Sequence, residues 1–319
     1  MPVAAASKSL SQYGPGGGGI HRPAAFIITL TLLLSAWTGA SAAVFGTDDR
    51  KPLPASMQTL ALKIGTLTSL KSGAVCSAFC AAHDVIVTAS HCLFGTAASA
   101  KPDQARLQFR LGSGDDRDVS ALAGAHAGAI GQQIISGTQS LSVTPPIDAA
   151  SDWAVARLEV PVCRAGGLAL SQKSRTEVDA IAEAGGVFEV AVHRDIPFPD
   201  LMLGRPCALP RQFPSADPET IARDFLAPGG VLFHTCDTGG GSSGSPLLIE
   251  GADGPEVIGI NVGTYVLSRM VPRGSGKHET EQSEAIANTA VETAQFAEAV
   301  AKLRLSPPPD AGRNARVTR

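Results

Sequence analysis

The sequence predicts an all-β protein of sandwich or barrel type, and three observations carry that prediction. Short β-branched runs recur along the chain, each bounded by Gly, Pro, Asp or Asn, with no regular helical periodicity between them. Glycine (34 residues) and proline (22) are plentiful and aromatic residues make up only 5%, the balance of a turn-rich β fold. With 319 residues, 44% of them hydrophobic and 17% charged, the chain can bury a sizeable core and is not disordered as a whole. Strands that follow one another without helices close into sandwiches or barrels.

Residues 24–37, AAFIITLTLLLSAW, form an uncharged apolar run preceded by His21 and Arg22 and followed by the small-residue stretch TGASAAV. These are the three parts of a secretory signal, with cleavage after Ala42 or Ala43. The run is shorter than the roughly 20 residues that span a bilayer, which argues against a retained anchor. Residues 1–43 therefore read as leader and signal, and the product as secreted or periplasmic with no stable membrane span. The leader ahead of the run is long, and Lys8 and Arg22 are its only basic side chains.

In the exported part, strands are expected at VIVTAS (85–90), WAVARLEV (153–160), VFEVAVH (187–193), PLLIE (246–250) and EVIGINVG (256–263). One helix is expected, near the C-terminus, where Asn288 caps TAVETAQFAEAVAKL and Phe296, Val300 and Leu303 present one face to the body of the protein. The polar segment 272–285 and the Pro-rich tail from Ser306 read as poorly ordered. No internal repeat is visible.

A formal net charge of -3 gives no electrostatic case for nucleic acid or an anionic membrane surface. Six cysteines (76, 80, 92, 163, 207 and 236) make an even set in a chain bound for an oxidising compartment, where disulfides persist. Cys76 and Cys80 lack a second close Cys or His pair, so no metal site is expected, and no motif asks for a cofactor.

Three segments carry chemistry. In CSAFCAAHDVIVTASHC (76–92) a strand delivers His91, and Cys92 beside it can bond back to Cys76 and pin the backbone under the imidazole. A catalytic histidine needs such rigidity, since an ångström of misplacement costs about a hundredfold in rate. His21, His83, His126, His193 and His278 read as satisfied or exposed side chains. In SDWAVARL, Asp152 opens an apolar strand and can accept the imidazole N–H, fixing its tautomer. Asp148, after TPPI, reads as a turn-capping residue.

The third segment is CDTGGGSSGSPLL (236–248). A nucleophilic serine needs a turn that exposes its oxygen and frees backbone N–H groups for a developing oxyanion, so glycines must crowd it. Ser243 has Gly241 two residues before it and Gly244 just after, and the N–H groups of Gly241 and Ser243 form the donor pair. Ser242 is expected to point away, and Ser245 lies beyond the turn. A flexible linker would not be followed by Pro246 and a strand.

TASHC (88–92), DWAVARL (152–158) and GSSGSP (241–246), in the order His, Asp, Ser, resemble the chymotrypsin-like (trypsin-fold) serine peptidases over roughly 44–303. The resemblance implies two six-stranded antiparallel β-barrels, meeting near 160–175, and a C-terminal helix, with 304–319 as a tail outside the domain. VFGTDDR (44–50), SGSP, and CDTGGGSSGSP followed by VIGINVG resemble the bacterial glutamyl endopeptidase branch. The roles implied are Ser243 as nucleophile, His91 as general base and then acid, and Asp152 as orienting carboxylate, acting on protein or peptide substrates through an acyl-enzyme.

The same resemblance makes Asp237, Thr238, Asn261 and Gly263 substrate-pocket candidates. Asn261 stands where glutamate-cleaving relatives carry a histidine, which weakens the case for acidic substrates. Asp237 is open between a selector for Arg or Lys and a loop carboxylate bonded to backbone amides. Ser242 stands where trypsin-type zymogens carry an aspartate, so activation by an N-terminal ion pair is not expected. Cys76–Cys92 and Cys207–Cys236 are the disulfides the resemblance implies; Cys80 and Cys163 remain, as a third pair or as two buried thiols.

Two other readings compete. A catalytically silent peptidase-fold binding protein would fit a lost triad residue, whereas His91, Asp152 and Ser243 are all present. An α/β-hydrolase esterase needs Gly-x-Ser-x-Gly with Ser ahead of His; here Ser245 replaces the last glycine and the order is reversed.

Overall fold

A computed structural model describes residues 43–99, 101–112, 118–124, 130–196, 200–272 and 279–306. The expected signal up to residue 42, residues 273–278 and the tail from residue 307 lie outside the described residues. Strand β1 (Lys51–Pro52) comes first. β2 (Ile64–Ser69), β3 (Val75–Ala82), β4 (Val85–Thr88), β5 (Leu107–Leu111), β6 (Val119–Ala121), β7 (Ile134–Ser136) and β8 (Ala154–Arg157) then build an antiparallel sheet in the order β6-β5-β2-β3-β4-β8-β7. β9 (Ala169–Leu170), β10 (Val187–Val192), β11 (Leu201–Cys207), β12 (Val231–His234), β13 (Pro246–Gly251), β14 (Gly254–Pro272) and β15 (Glu279–Glu292) follow in the second half.

The second sheet runs β1-β11-β10-β13-β14-β15-β12, antiparallel throughout, with β9 added in parallel to β14. Without the two-residue β1 and β9 it has six strands; the first sheet has seven, the extra one being the short edge strand β7. The all-β class expected from the sequence is what is observed, and the chain passes from one sheet to the other between Arg157 and Ala169. β4 and β10 are buried along their whole length, which is why VIVT and VFEVAV read as continuous runs rather than alternating ones.

Three expectations are corrected. Asn288 does not cap the C-terminal helix: it lies within β15, where its amide donates to the carbonyls of Ala43 (3.1 Å) and Cys236 (2.7 Å). The helix itself spans Ala297–Leu305. Residues 279–285 are strand, paired with β14 in a long hairpin whose register runs from Gly259↔Glu292 to Pro272↔Glu279. Backbone pairing satisfies this segment whatever its side chains, so its polarity misled the reading.

Four α-helices are present among the described residues: α1 (Ser90–Phe94), α2 (Arg175–Glu183), α3 (Pro218–Asp224) and α4 (Ala297–Leu305). α2 opens on a capping box, Ser174 with Glu177, and α3 on Asp217 followed by proline. None is long and apolar enough to cross a membrane.

One hydrophobic cluster joins the halves: Phe79, Ile86, Leu93 and Phe109 pack with Phe188, Leu248 and Ile260, and Phe296, which caps α4, closes it with Val300 and Leu303 of that helix. Buried Arg157 bonds the carbonyls of Leu303 and Ser306 at the end of α4, fastening the helix to β8. All six cysteines are paired, Cys76–Cys92, Cys80–Cys163 and Cys207–Cys236, so the buried-thiol alternative for Cys80 and Cys163 does not hold.

Candidate active site

β4 ends at Thr88, and His91 sits on the first turn of α1 rather than at the strand end. The Cys76–Cys92 disulfide ties that turn to β3. Asp152 follows a single turn of 3-10 helix (Ala149–Ser151), is 1% exposed, and accepts two hydrogen bonds from His91. The backbone N–H reaches Asp152 Oδ1 at 2.9 Å, and the ring Nδ1 lies 2.7 Å from Oδ2. A carboxylate only accepts, so Nδ1 carries the ring proton and the Nε2 lone pair is free. Burial alone would lower the imidazole pKa; the charge of Asp152 and its hydrogen bond outweigh burial and raise it above the ordinary value of 6.5.

The serine turn is built from the glycines around it. Gly241 (φ 104°) and Gly244 (φ 86°) hold the left-handed region that a Cβ disfavours. At Gly244 a Cβ would also lie 2.2 Å from the Ser77 carbonyl oxygen and 2.3 Å from Thr88 Oγ1, so only glycine fits. The turn closes with Ser242 N–H on the Gly239 carbonyl (3.1 Å) and Ser245 N–H on the Ser242 carbonyl (2.9 Å).

The three serines then separate by their partners. Buried Ser242 accepts from Asn261 Nδ2 (3.0 Å), and buried Ser245 donates to Glu189 Oε1. Ser243 is half-buried, and its hydroxyl has no partner among the described residues. The N–H groups of Gly241 and Ser243 likewise donate to no other described group. They are available to a ligand.

Ser77, on β3, joins the serine turn to the first sheet. Its N–H donates to the Ser243 carbonyl (2.8 Å), and its hydroxyl donates to the Gly241 carbonyl (3.0 Å) while accepting the Val192 N–H (3.0 Å). The Ser243 carbonyl oxygen also lies 3.8 Å from Cys92 Sγ, so the turn abuts the helix that carries His91. Cys76, His91 and Cys92 cluster within 4.8 Å, but the sulfurs are joined to each other and offer no thiolate to a metal.

Three of the four pocket candidates, Asp237, Thr238 and Asn261, are buried. Asp237, 3% exposed, accepts the N–H groups of Phe45 (2.7 Å) and Asp49 (3.0 Å), so of the two readings left open it is the loop carboxylate bonded to backbone amides. Thr238 exchanges hydrogen bonds with Ala43 through its backbone N–H (3.0 Å) and its hydroxyl (3.2 Å). Arg50 pairs with Asp48 and, through two nitrogens, with Asp195, which lies against Gly239. Residues 43–50 thus form a strap along the loop that precedes the serine turn. Asn261 is 1% exposed with its amide bonded to Ser242 and His234, and Gly263 lies in β14, its carbonyl accepting from Thr289.

The sequence reading missed Ser77, Glu189 and His234. Each is a polar residue inside an otherwise apolar strand, CSAF, VFEV and VLFH, and that interruption was the available signal. His193, read as a satisfied side chain, accepts the Gly239 N–H on Nδ1 (2.9 Å), and burial pushes its pKa down to about 4.

No protein-family model and no curated protein matches the chain. Among solved structures it is similar to a Glu endopeptidase determined in complex with MPD, with a TM-score of 0.55 and 15% identity over 83% of this chain and 100% of that one. A likeness at such low identity speaks for the fold. Two antiparallel sheets in sequence, a terminal helix packed across them and this match agree: the chain has the chymotrypsin-like double-barrel fold.

Proposed function

We propose that the protein is an exported serine endopeptidase, its leader and signal removed on export by cleavage after Ala42, the alternative that keeps Ala43 in the strap; the catalytic domain expected over 44–303 extends to the end of α4 and Ser306, and the tail follows it. The observation that carries this reading is the doubly held His91–Asp152 pair beside a glycine turn in which, of three serines, only Ser243 keeps a free hydroxyl. Three disulfides fit an oxidising compartment and support a secreted or periplasmic location.

In this mechanism His91 Nε2 takes the proton of Ser243 Oγ as the oxygen bonds to the scissile carbonyl carbon. The carbonyl oxygen becomes an oxyanion between the N–H groups of Gly241 and Ser243. His91 gives its proton to the leaving amine, the C–N bond breaks, and an acyl-enzyme remains on Ser243. Water attacks by the same route and regenerates the serine. Asp152 keeps the proton on Nδ1 throughout and stabilises the imidazolium.

The test is reaction of the secreted protein with a fluorophosphonate probe, mapped by peptide mass spectrometry. Label on Ser243 that is absent from Ser243→Ala supports the enzyme. No label on folded, disulfide-bonded protein would leave a silent binding protein instead.

A further inference from the structure

Glycine has the freest backbone of any residue, and residues 239–244 hold four of them. A turn of that composition does not hold two N–H groups on one point unaided. Asn261, on β14, supplies bracing from outside. Its backbone N–H donates to the Ser245 carbonyl (2.9 Å), its carbonyl accepts the Gly244 N–H (2.7 Å), and its side-chain Nδ2 donates to Ser242 Oγ (3.0 Å). Three hydrogen bonds from one residue bracket Ser243 on both sides. None falls on Ser243 itself.

A fourth hydrogen bond runs away from the turn. Asn261 Oδ1 accepts from His234 Nε2 (3.1 Å), reaching from β14 past β15 to the fully buried end of β12. An amide oxygen only accepts, so Nε2 carries the ring proton and Nδ1 is a buried acceptor with no partner among the described residues. Burying an unused ring nitrogen costs stability. What the arrangement supplies is orientation: with Oδ1 fixed on His234, the amide nitrogen of Asn261 must face Ser242.

We infer that Asn261, oriented by His234, is the positioning residue of the nucleophile turn, fixing residues 242–245 so that the Ser243 hydroxyl and the Gly241 and Ser243 N–H groups keep one arrangement. The catalytic consequence rests on the proposed peptidase activity; the bracing does not. Asn261 therefore acts from behind the turn, not as a wall of the substrate pocket.

The experiment compares wild type with Asn261→Ala, His234→Gln and His234→Leu, using hydrogen exchange of peptides covering 239–246, fluorophosphonate labelling rate, and kcat and KM on a peptide substrate. In folded Asn261→Ala and His234→Leu, exchange in 239–246 rises while peptides from β10 and β15 keep their protection. Labelling rate and kcat fall about tenfold to a hundredfold with KM nearly unchanged, as expected for misplacement by a fraction of an ångström. His234→Gln, whose side-chain N–H can reach the same oxygen, keeps most of both. Unchanged exchange in 239–246 overturns the inference, as does a loss of protection spread over the whole chain. If wild type takes no label yet Asn261→Ala loosens the turn, the bracing stands and the peptidase reading fails. Should Asn261→Ala not fold, the two His234 variants make the same comparison.

Discussion

Asp152 grips His91 at two points, the backbone N–H at 2.9 Å and ring Nδ1 at 2.7 Å, so one carboxylate fixes both the position of the residue and the face its imidazole presents. Because the free base is the reactive form, activity should rise with pH through a pKa above 6.5. Asp152→Asn removes the charge that opposes burial, so the midpoint should move down while kcat falls by about 10⁴-fold. A pH profile of kcat/KM checks both. A midpoint that stays in place would remove Asp152 as its cause.

Asp237 lies six residues before Ser243 yet spends both oxygens on the strap. Asp237→Asn should therefore lower the melting temperature, at about 1.5–3 kcal/mol for bonds to a charged acceptor, without changing which residue is preferred beside the scissile bond. Thermal melts and a cleavage library, run side by side, test this. Selective loss of cleavage after basic residues at unchanged stability would restore the selector role.

Glu189 is buried on β10 with Oε2 unpartnered among the described residues, and burial raises its pKa from 4.5 to about 8 despite the Ser245 hydrogen bond. A raised carboxyl pKa gives stability that is full below 4.5 and is lost as pH rises through about 8. Glu189→Gln keeps an acceptor for Ser245 and removes the ionisation. Its melting temperature should fall less than that of wild type between pH 5 and about 8.5; parallel curves would refute the assignment.

His193 and His234 work in the opposite direction. Burial lowers both from 6.5 to about 4, so their contribution is present above 6.5 and lost as pH falls through about 4. His193→Asn, which preserves an acceptor for the Gly239 N–H, should flatten the acid side of the melting curve against pH. An unchanged acid limb would place the sensitivity elsewhere.

Cys80–Cys163 joins residues 83 apart and Cys76–Cys92 residues 16 apart. Loop entropy then makes removal of the longer closure the more destabilising, by about 1.5 kcal/mol. Paired alanine variants compared by denaturant midpoint test the order. Activity should follow the reverse order, because Cys92 adjoins His91.

Much of the fold was legible because buried strands announce themselves: VIVT, VFEVAV and PLLIE are apolar but for one polar residue each and are bounded by turn residues. The segments around His91, Asp152 and Ser243 were legible because a tight turn needs glycine and a fixed imidazole needs an acceptor. Long-range partners were not. The Asn288 amide finds Ala43 and Cys236, 245 and 52 residues away, and no local pattern separates that from a helix cap. Polarity hid the outer part of β15, since a hairpin is held by backbone pairing. His234 and Ser77 each needed the tertiary neighbour to gain meaning.

Ser77 belongs to the first sheet, Val192 to the second and Gly241 to the serine turn between β12 and β13, and a single hydroxyl spans all three. The halves of the molecule are thus stitched at the turn that presents Ser243. Separating the two sheets would therefore break the hydrogen bonds that hold this turn as well, and disturbance of either is expected to reach the other.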